Sequence, residues 1–225
     1  AHVPLAIRWP NGIVKAGREF EGRMNLSDIA PTFLQAADVK VPAMMTANSL
    51  MGVLKNRAPT KRRSAYSARG RHDGCRKGGK GYPSRAIRTQ DYLYIRNLEP
   101  TRWPAGNPDR EFCARYIPFG EVDTSPTKTL LMDNANKAGF KRFYDLAFSK
   151  RPAEELYHVT EDPGQLVNLS ENPKYEAIQK KLASQLQEHL VRTKDPRALG
   201  LDAPWDHYPY YGLRRNKNWQ VDPKP

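Results

Sequence analysis

Apolar positions in the first part of the chain predict one strand and two helices. The short apolar run from Val3 to Trp9, closed by the turn Pro10-Asn11-Gly12, is typical of a strand. Apolar residues at positions 26, 29, 30, 33, 34 and 37 have helical spacing and predict an amphipathic helix at about 27 to 38. A weaker period predicts a short helix around Asn48 to Leu54. One strand and two short helices can hardly bury the apolar stripe of the helix at 27 to 38, which contains Phe33. We therefore expect apolar surface to be exposed in this part of the chain.

The period changes to two after residue 63, which indicates strands. Ser64 to Arg69 and Arg85 to Arg88 each predict a strand. Tyr92 to Arg96 alternates and is expected to pair with the latter through the turn Thr89-Gln90-Asp91. Glu155 to Val159 predicts a further short strand.

A long amphipathic helix is predicted at 173 to 192. Asn172-Pro173 is typical of a helix start, and Leu182, Leu186 and Leu190 recur on one face opposite Lys, Gln and Glu. We expect this stripe to pack on the sheet. Residues 99 to 153 are rich in Pro, Gly, Asn and Lys without a sustained period, so we expect an irregular connection that partly lines a surface cleft.

Composition adds limits to this picture. The 225 residues carry a formal net charge of +13 and a mean hydropathy of −0.77, which argues against a membrane span. Apolar residues make up 39% of the chain, more than a disordered protein carries. Cys75 and Cys113 can pair if the protein is exported, or remain thiols if it is not. The chain starts at Ala1 without an initiator Met, so we expect a piece of a longer protein.

The loop from Arg69 to Gly81 contains five cations, one His and five glycines in thirteen residues. Glycines let backbone N–H groups approach an anion, and arginine matches sulfate, phosphate or carboxylate in a bidentate manner. A solvated basic loop is an equally good interpretation on composition alone. The spacing is not that of a Walker A loop, because Gly81 follows Lys80 where Ser or Thr is required.

His72 lies beside Asp73, a pair that predicts an oriented imidazole if the two side chains meet. Sequence neighbours rarely make that contact. No Ser/His/Asp, H-E-x-x-H or Cys/His spacing accompanies the pair, so the motifs of this chain do not assemble a catalytic centre.

Several motifs, in matching order, make the chain similar to the C-terminal half of a type I sulfatase. His2-Val3-Pro4-Leu5-Ala6-Ile7-Arg8-Trp9-Pro10 and Ser27-Asp28-Ile29-Ala30-Pro31-Thr32 resemble the family's R-V-P-L-I-I-R-W-P and S-L-x-D-L-A-P-T. The segments 85–96 and 155–169 also resemble the family pattern. Within the family, the His72 loop followed by Tyr82-Pro83-Ser84-Arg85, together with Thr193-Lys194-Asp195-Pro196, is most similar to the N-sulfoglucosamine sulfohydrolase (heparan N-sulfatase) type.

The resemblance implies an α/β fold of the alkaline phosphatase superfamily, a formylglycine nucleophile and a calcium ion held by carboxylates. The nucleophile motif and the calcium ligands precede the stretch matched here, so we expect no metal or catalytic residue in this chain and an inactive fragment. Two similar segments are rejected: Gly81-Tyr82-Pro83-Ser84-Arg85 has Gly where Cys or Ser must stand, and Asp133-Asn134 follows the helix that it should precede.

The resemblance also implies an organisation into three parts. Residues 1–58 would complete the large domain, whose remainder is the missing N-terminal half, 64–196 would form a smaller subdomain with an antiparallel sheet and a helix, and 197–225 would be an aromatic and basic tail that wraps the surface. In that setting we expect Arg71, His72, Asp73 and Arg76 to contact a sulfated glycan. Sulfatases of this kind are periplasmic, secreted or lysosomal.

Two other functions stay open at this point. A sequence pI near 9.8 is compatible with a non-catalytic basic module that binds acidic glycan or nucleic acid. Nucleic acid is not favoured, because no helix-turn-helix, zinc-finger or RNP-type motif is present. The other is a degenerate sulfatase relative without activity.

Overall fold

The computed structural model describes residues 3–20, 22–57, 63–72, 74–113 and 116–209. The chain divides into two compact units, one formed by Ala1–Tyr66 with Arg88–Gln90 and the other by Ser67–Ile87 with Asp91–Pro225. The two units are described separately below.

The first unit contains the two predicted helices, α1 at Ile29–Ala36 and α2 at Met51–Leu54. A 3₁₀ turn at Leu26–Asp28 precedes α1. The buried carboxylate of Asp28 accepts hydrogen bonds from the backbone N–H of Asn25, at 2.8 Å, and of Asn48, at 3.2 Å. One buried side chain therefore joins the start of α1 to the segment before α2, because an unpaired carboxylate is costly to bury.

The predicted strand at Val3 to Trp9 is wrong: these residues are irregular. A strand needs a neighbour for its N–H and C=O groups, and the described part of this unit offers no strand apart from the ends of two that belong to the sheet below. The apolar stripe of α1 is exposed as predicted, since Leu26 and Phe33 each keep 65% of their surface accessible.

The second unit is built on a four-stranded sheet in the order β1-β2-β3-β4. The strands are β1 at Ala65–Arg69, β2 at Ser84–Arg88, β3 at Tyr92–Asn97 and β4 at Glu154–His158, which confirms the four strands predicted after residue 63. β3 and β4 are antiparallel, with Tyr94 opposite Leu156. The hairpin between β2 and β3 is confirmed as well.

The two faces of the sheet bury different residues. Ala86, Leu93, Tyr157 and Val159 form a cluster on one face, against which Ile95 packs. The other face lies against α5, at Glu176–Arg192, which buries Leu182, Leu186 and Leu190 as the period predicted. Side-chain hydrogen bonds from Arg96 to Gln187, at 2.8 Å, and from Gln179 to Glu154, at 2.8 Å, join this helix to the sheet.

Residues 99 to 153 are more regular than predicted. They contain α3 at Pro126–Asp133 and α4 at Ala138–Phe148. α3 begins at a hydroxyl cap, since Ser125 Oγ accepts a hydrogen bond from the N–H of Lys128 at 3.1 Å. Phe148 at the end of α4 stacks on Phe119 at 4.6 Å between ring centroids. This small core of aromatic residues gives a segment that was predicted to be irregular a fixed structure.

Both cysteines are buried in this second unit, next to Gly106 and Gly120. Residues 210–225 of the predicted tail lie outside the described residues. The described part of the tail ends in a 3₁₀ turn at Pro204–Asp206. Within the described residues, no helix has the length and apolar character needed to cross a membrane.

Candidate functional site

The candidate site is the basic loop that connects β1 to β2. Gly78 and Gly79 have positive φ angles of 68° and 64°, which glycine adopts without strain. A Cβ on Gly81 would lie 2.9 Å from Cα of Arg71, so the end of the loop passes directly against its beginning. The glycines therefore allow a compact loop that holds its cations close together.

Glu121 is the centre of the charged cluster at this loop. Its side chain is 4% exposed and contacts three basic residues: Nη2 of Arg69 at 3.0 Å, Nδ1 of His72 at 2.6 Å and Nη1 of Arg76 at 2.8 Å. Burial works to raise the pKa of Glu121. The hydrogen bonds from Arg76 and His72 and the charges of Arg69 and Arg76 outweigh burial and lower the pKa below its usual value. Glu121 is therefore a carboxylate that holds the loop residues in position.

Arg76 is buried and helps to hold Glu121 in place. Its Nε donates to the carbonyl of Trp103 at 2.7 Å and its Nη2 to the carbonyl of Pro104 at 2.7 Å, while Nη1 binds Glu121. The guanidinium groups of Arg69 and Arg76 lie 5.9 Å and 5.8 Å from the ring centroid of Tyr82. Burial, with a contribution from the charge of Glu155, raises the pKa of Tyr82 to about 12, so its phenol stays protonated.

His72 is the exposed member of the cluster. Its side chain is 73% exposed, and Nδ1 is bound to Oε2 of Glu121. A carboxylate acceptor places the proton on Nδ1 and fixes the ring orientation, which leaves Nε2 as the nitrogen that a ligand can use. The oriented imidazole predicted at His72 thus exists, but with Glu121 as its partner. Asp73, the partner considered in the sequence, lies outside the described residues.

Arg71 is held by the segment that follows α5. Its guanidinium group donates to the backbone carbonyls of Asp206, at 3.3 Å, and Tyr208. Trp205 of the same segment lies next to Gly70, since a Cβ on this glycine would be 3.2 Å from the indole nitrogen. The described part of the tail therefore packs against the base of the loop.

A cavity of about 330 Å³ opens beside the cluster. Basic, polar and aromatic side chains line it: Arg76, Lys77, Lys80, Thr101, Arg102, Trp103 and Asn107. None of the described residues in this lining carries a carboxylate. Arg76 belongs to both the cavity and the Glu121 cluster, so the two features are adjacent.

The described residues hold no group of three or more His, Cys, Asp or Glu side chains that would bind a metal ion. Asn134 caps the end of α3, where its Nδ2 donates to the carbonyl of Leu130 at 2.7 Å. The Asp133-Asn134 pair thus lies at the end of a helix.

Two motifs that lie far apart in the sequence meet in the structure. Nε of Arg85, at the start of β2, binds Oδ2 of Asp195 after α5 at 2.6 Å. Burial works to raise the pKa of Asp195, but the hydrogen bond from Arg85 and the charge of Arg85 outweigh burial and lower the pKa. The segments Tyr82-Pro83-Ser84-Arg85 and Thr193-Lys194-Asp195-Pro196 are thus joined by an ion pair.

Sequence reasoning missed Glu121 and Trp103. Glu121 is separated by 49 residues from His72 and by 45 from Arg76, in a segment without a period. No local signal identifies such a residue; a single carboxylate close to three basic side chains becomes visible only in the folded chain.

The comparisons with known proteins show similarity to the C-terminal part of sulfatases. Residues 1–103 match the family model described as N-sulphoglucosamine sulphohydrolase, C-terminal. The matched stretch includes β1, the His72 loop, β2 and β3. It confirms the predicted resemblance to the heparan N-sulfatase type.

Curated relatives extend this similarity beyond residue 103. Two proteins from Formosa agariphila, each named an ulvan-active sulfatase, are 27% identical over 180 residues and 26% identical over 199 residues. The alignments cover 80% and 86% of this chain but 31% and 29% of the relatives. The chain therefore spans about a third of the length of these relatives.

Solved structures show the same fold. The sulfatase-family protein yidJ from Bacteroides fragilis has a TM-score of 0.51 at 15% identity, over 87% of this chain and 30% of that one. A protein from Bacteroides thetaiotaomicron, from a locus for glycosaminoglycan metabolism, has a TM-score of 0.51 at 17% identity, over 90% of this chain and 33% of that one. The predicted fold class is therefore confirmed, and this chain supplies a C-terminal part of the sulfatase fold.

Proposed function

We propose that the protein to which this chain belongs is a sulfatase that hydrolyses sulfate esters or sulfamates of anionic glycans, and that this chain supplies part of its substrate cleft. The match of residues 1–103 to the sulphohydrolase family carries the proposal, because this stretch contains the basic loop itself. The similarity to ulvan-active sulfatases over most of the chain supports the same reaction class.

The loop has the chemistry for binding a sulfated sugar. His72 offers an exposed ring whose orientation Glu121 fixes, and Arg71 and Asp73 lie on either side of it in the sequence. Arg76 contributes indirectly, because its three guanidinium nitrogens already bind Glu121 and two backbone carbonyls. In this proposal His72, Arg71 and Asp73 touch the glycan, while Arg76 positions His72 through Glu121.

The missing parts of the reaction belong to the rest of the protein. The resemblance implies a formylglycine nucleophile and a calcium ion, and in this proposal both are held by residues outside this chain. The exposed apolar side chains of the first unit, Leu26 and Phe33 among them, support a covering partner. We assign residues 1–58 to the end of the large domain, whose N-terminal part would cover this surface.

A kinetic comparison tests the proposal. Sulfate release from heparin-derived saccharides by the intact protein should fall at least about tenfold in kcat/KM on His72→Ala, which corresponds to about 1.4 kcal/mol of transition-state stabilisation. His189→Ala removes a histidine from α5 and serves as the matched control. Equal kinetics of the His72 variant and the wild type would contradict the assigned role of His72, and absence of sulfate release by the wild type would contradict the proposed reaction.

A further inference from the structure

The cavity beside the loop contains positive charge that no carboxylate among the described residues neutralises. Within the described part of the chain, Lys77 and Lys80 form no ion pair with a carboxylate. Nζ of Lys77 instead lies 5.3 Å from the ring centroid of Phe112. The other two cations of the lining already have partners, because Arg76 binds Glu121 and Arg102 binds Glu99 at 3.1 Å. Two uncompensated ammonium groups favour an anionic ligand.

The walls of the cavity are held in position by the protein. Nη1 of Arg102 donates to the carbonyl of Gly81 at 3.0 Å, which fixes this side chain against the end of the loop. The carbonyl of Trp103 receives Nε of Arg76 at 2.7 Å, and the Trp103 ring packs on Phe119 at 5.9 Å between centroids. Ordered walls lower the entropic cost of binding, since fewer side chains must be immobilised.

Size and composition point to one sugar unit. The volume of about 330 Å³ lies at the lower end of the range for small-molecule sites, which is roughly 300 to 1,000 Å³. Trp103, whose ring centroid lies 5.3 Å from Nζ of Lys150, provides an aromatic wall, and the lysines, with Thr101 and Asn107, provide charge and hydrogen-bonding groups. An anionic pyranose, with an apolar ring face and a sulfate or carboxylate group, matches this combination.

From these observations we infer that Lys77, Lys80 and Arg102, with Trp103, form an accessory subsite that binds a second anionic sugar residue of an oligosaccharide substrate. The inference rests on the proposed function for the identity of the substrate, but the site itself is a property of the cavity. The subsite lies beside the His72 cluster because Arg76 belongs to both. It selects chains with a further sulfate or carboxylate group over isolated monosaccharides.

Calorimetric titration of the intact protein with a heparin-derived tetrasaccharide tests the subsite. The double variant Lys77→Ala/Lys80→Ala should bind at least about tenfold more weakly, equivalent to about 1.4 kcal/mol, and its affinity should depend less on salt. The matched control Lys174→Ala/Lys181→Ala removes the same charge outside the cavity and should keep the affinity of the wild type. Equal losses in the two double variants, or no loss in the first, would overturn the inference.

Activity separates this inference from the proposed function. In the Lys77→Ala/Lys80→Ala variant, kcat/KM for sulfate release should fall at least about tenfold more on the tetrasaccharide than on glucosamine N-sulfate. Binding that depends on Lys77 and Lys80 in a protein without sulfate release would support the subsite and refute the sulfatase. Sulfate release from the tetrasaccharide that is insensitive to both lysines would refute the subsite and leave the sulfatase intact.

Discussion

Replacing Glu121 by Gln should destabilise the second unit strongly. The substitution keeps the shape of the side chain but removes its charge, and it leaves the buried guanidinium group of Arg76 without a counter-charge; the two side chains are 4% and 3% exposed. Breaking a buried pair by removing one partner costs about 3 to 5 kcal/mol. Arg76 retains hydrogen bonds to the carbonyls of Trp103 and Pro104, so we expect a value near the lower end, about 3 kcal/mol.

Urea unfolding of the intact protein measures this loss, as the product of the shift in midpoint and the slope. Glu99→Gln is the matched control, because it removes a carboxylate from an ion pair whose two side chains are 27% and 38% exposed. Surface pairs contribute about 0 to 1 kcal/mol. A loss below about 1 kcal/mol for Glu121→Gln, or one equal to that of the control, would refute the central role of Glu121.

Two further predictions concern the same unit. Because the pKa of Glu121 is lowered in the folded state from a reference value of 4.5, its ionisation stabilises the fold above about pH 4.5, and this stability is lost as the pH falls through the lowered value. The advantage of the wild type over Glu121→Gln in urea midpoint should therefore shrink between about pH 6 and about pH 3, and a constant difference would contradict the assignment. Asp195→Asn should lower the melting temperature because it removes the counter-charge of buried Arg85, at a cost of about 2 to 4 kcal/mol. Asp145→Asn, at the exposed ion pair with Lys141, should leave that temperature unchanged; equal shifts would contradict the role of the buried pair.

The elements that the sequence predicted correctly have their determining residues within the segment itself. α5 buries Leu182, Leu186 and Leu190 at spacings of four, and a cap residue precedes Pro173. β3 was predicted at Tyr92 to Arg96 and lies next to β2 across a short turn. In such segments period and turn residues both indicate one structure, so local pattern is sufficient.

The predictions that failed depend on contacts outside the segment. The apolar run at Val3 to Trp9 has the composition of a strand, but the described residues offer it no neighbouring strand. α4 carries Phe140, Tyr144 and Phe148 at spacings of four, a signal that the surrounding Pro, Gly and Lys residues obscured. Glu121 could not be found from the sequence at all, since its three partners lie on a loop 45 or more residues away.

The candidate site was anticipated in part. The sequence identified the loop and singled out His72, which the structure shows to be exposed. It also grouped Arg76 with the residues expected to meet the glycan, whereas the three guanidinium nitrogens of Arg76 bind Glu121 and two carbonyls. The residue types and their position on a loop indicated that the site binds an anion. Only the hydrogen-bond partners show which of these residues can bind the ligand and which position another residue.

Release of inorganic sulfate is the most direct test of the proposed function. The intact protein should be incubated with heparin-derived saccharides and with ulvan, and free sulfate measured by ion chromatography. We expect the wild type to release sulfate from at least one of these glycans. His72→Ala should reduce kcat/KM for this release at least about tenfold. Tight binding of the glycans without any sulfate release would contradict the proposed function, and would indicate a basic glycan-binding protein with the fold of a sulfatase.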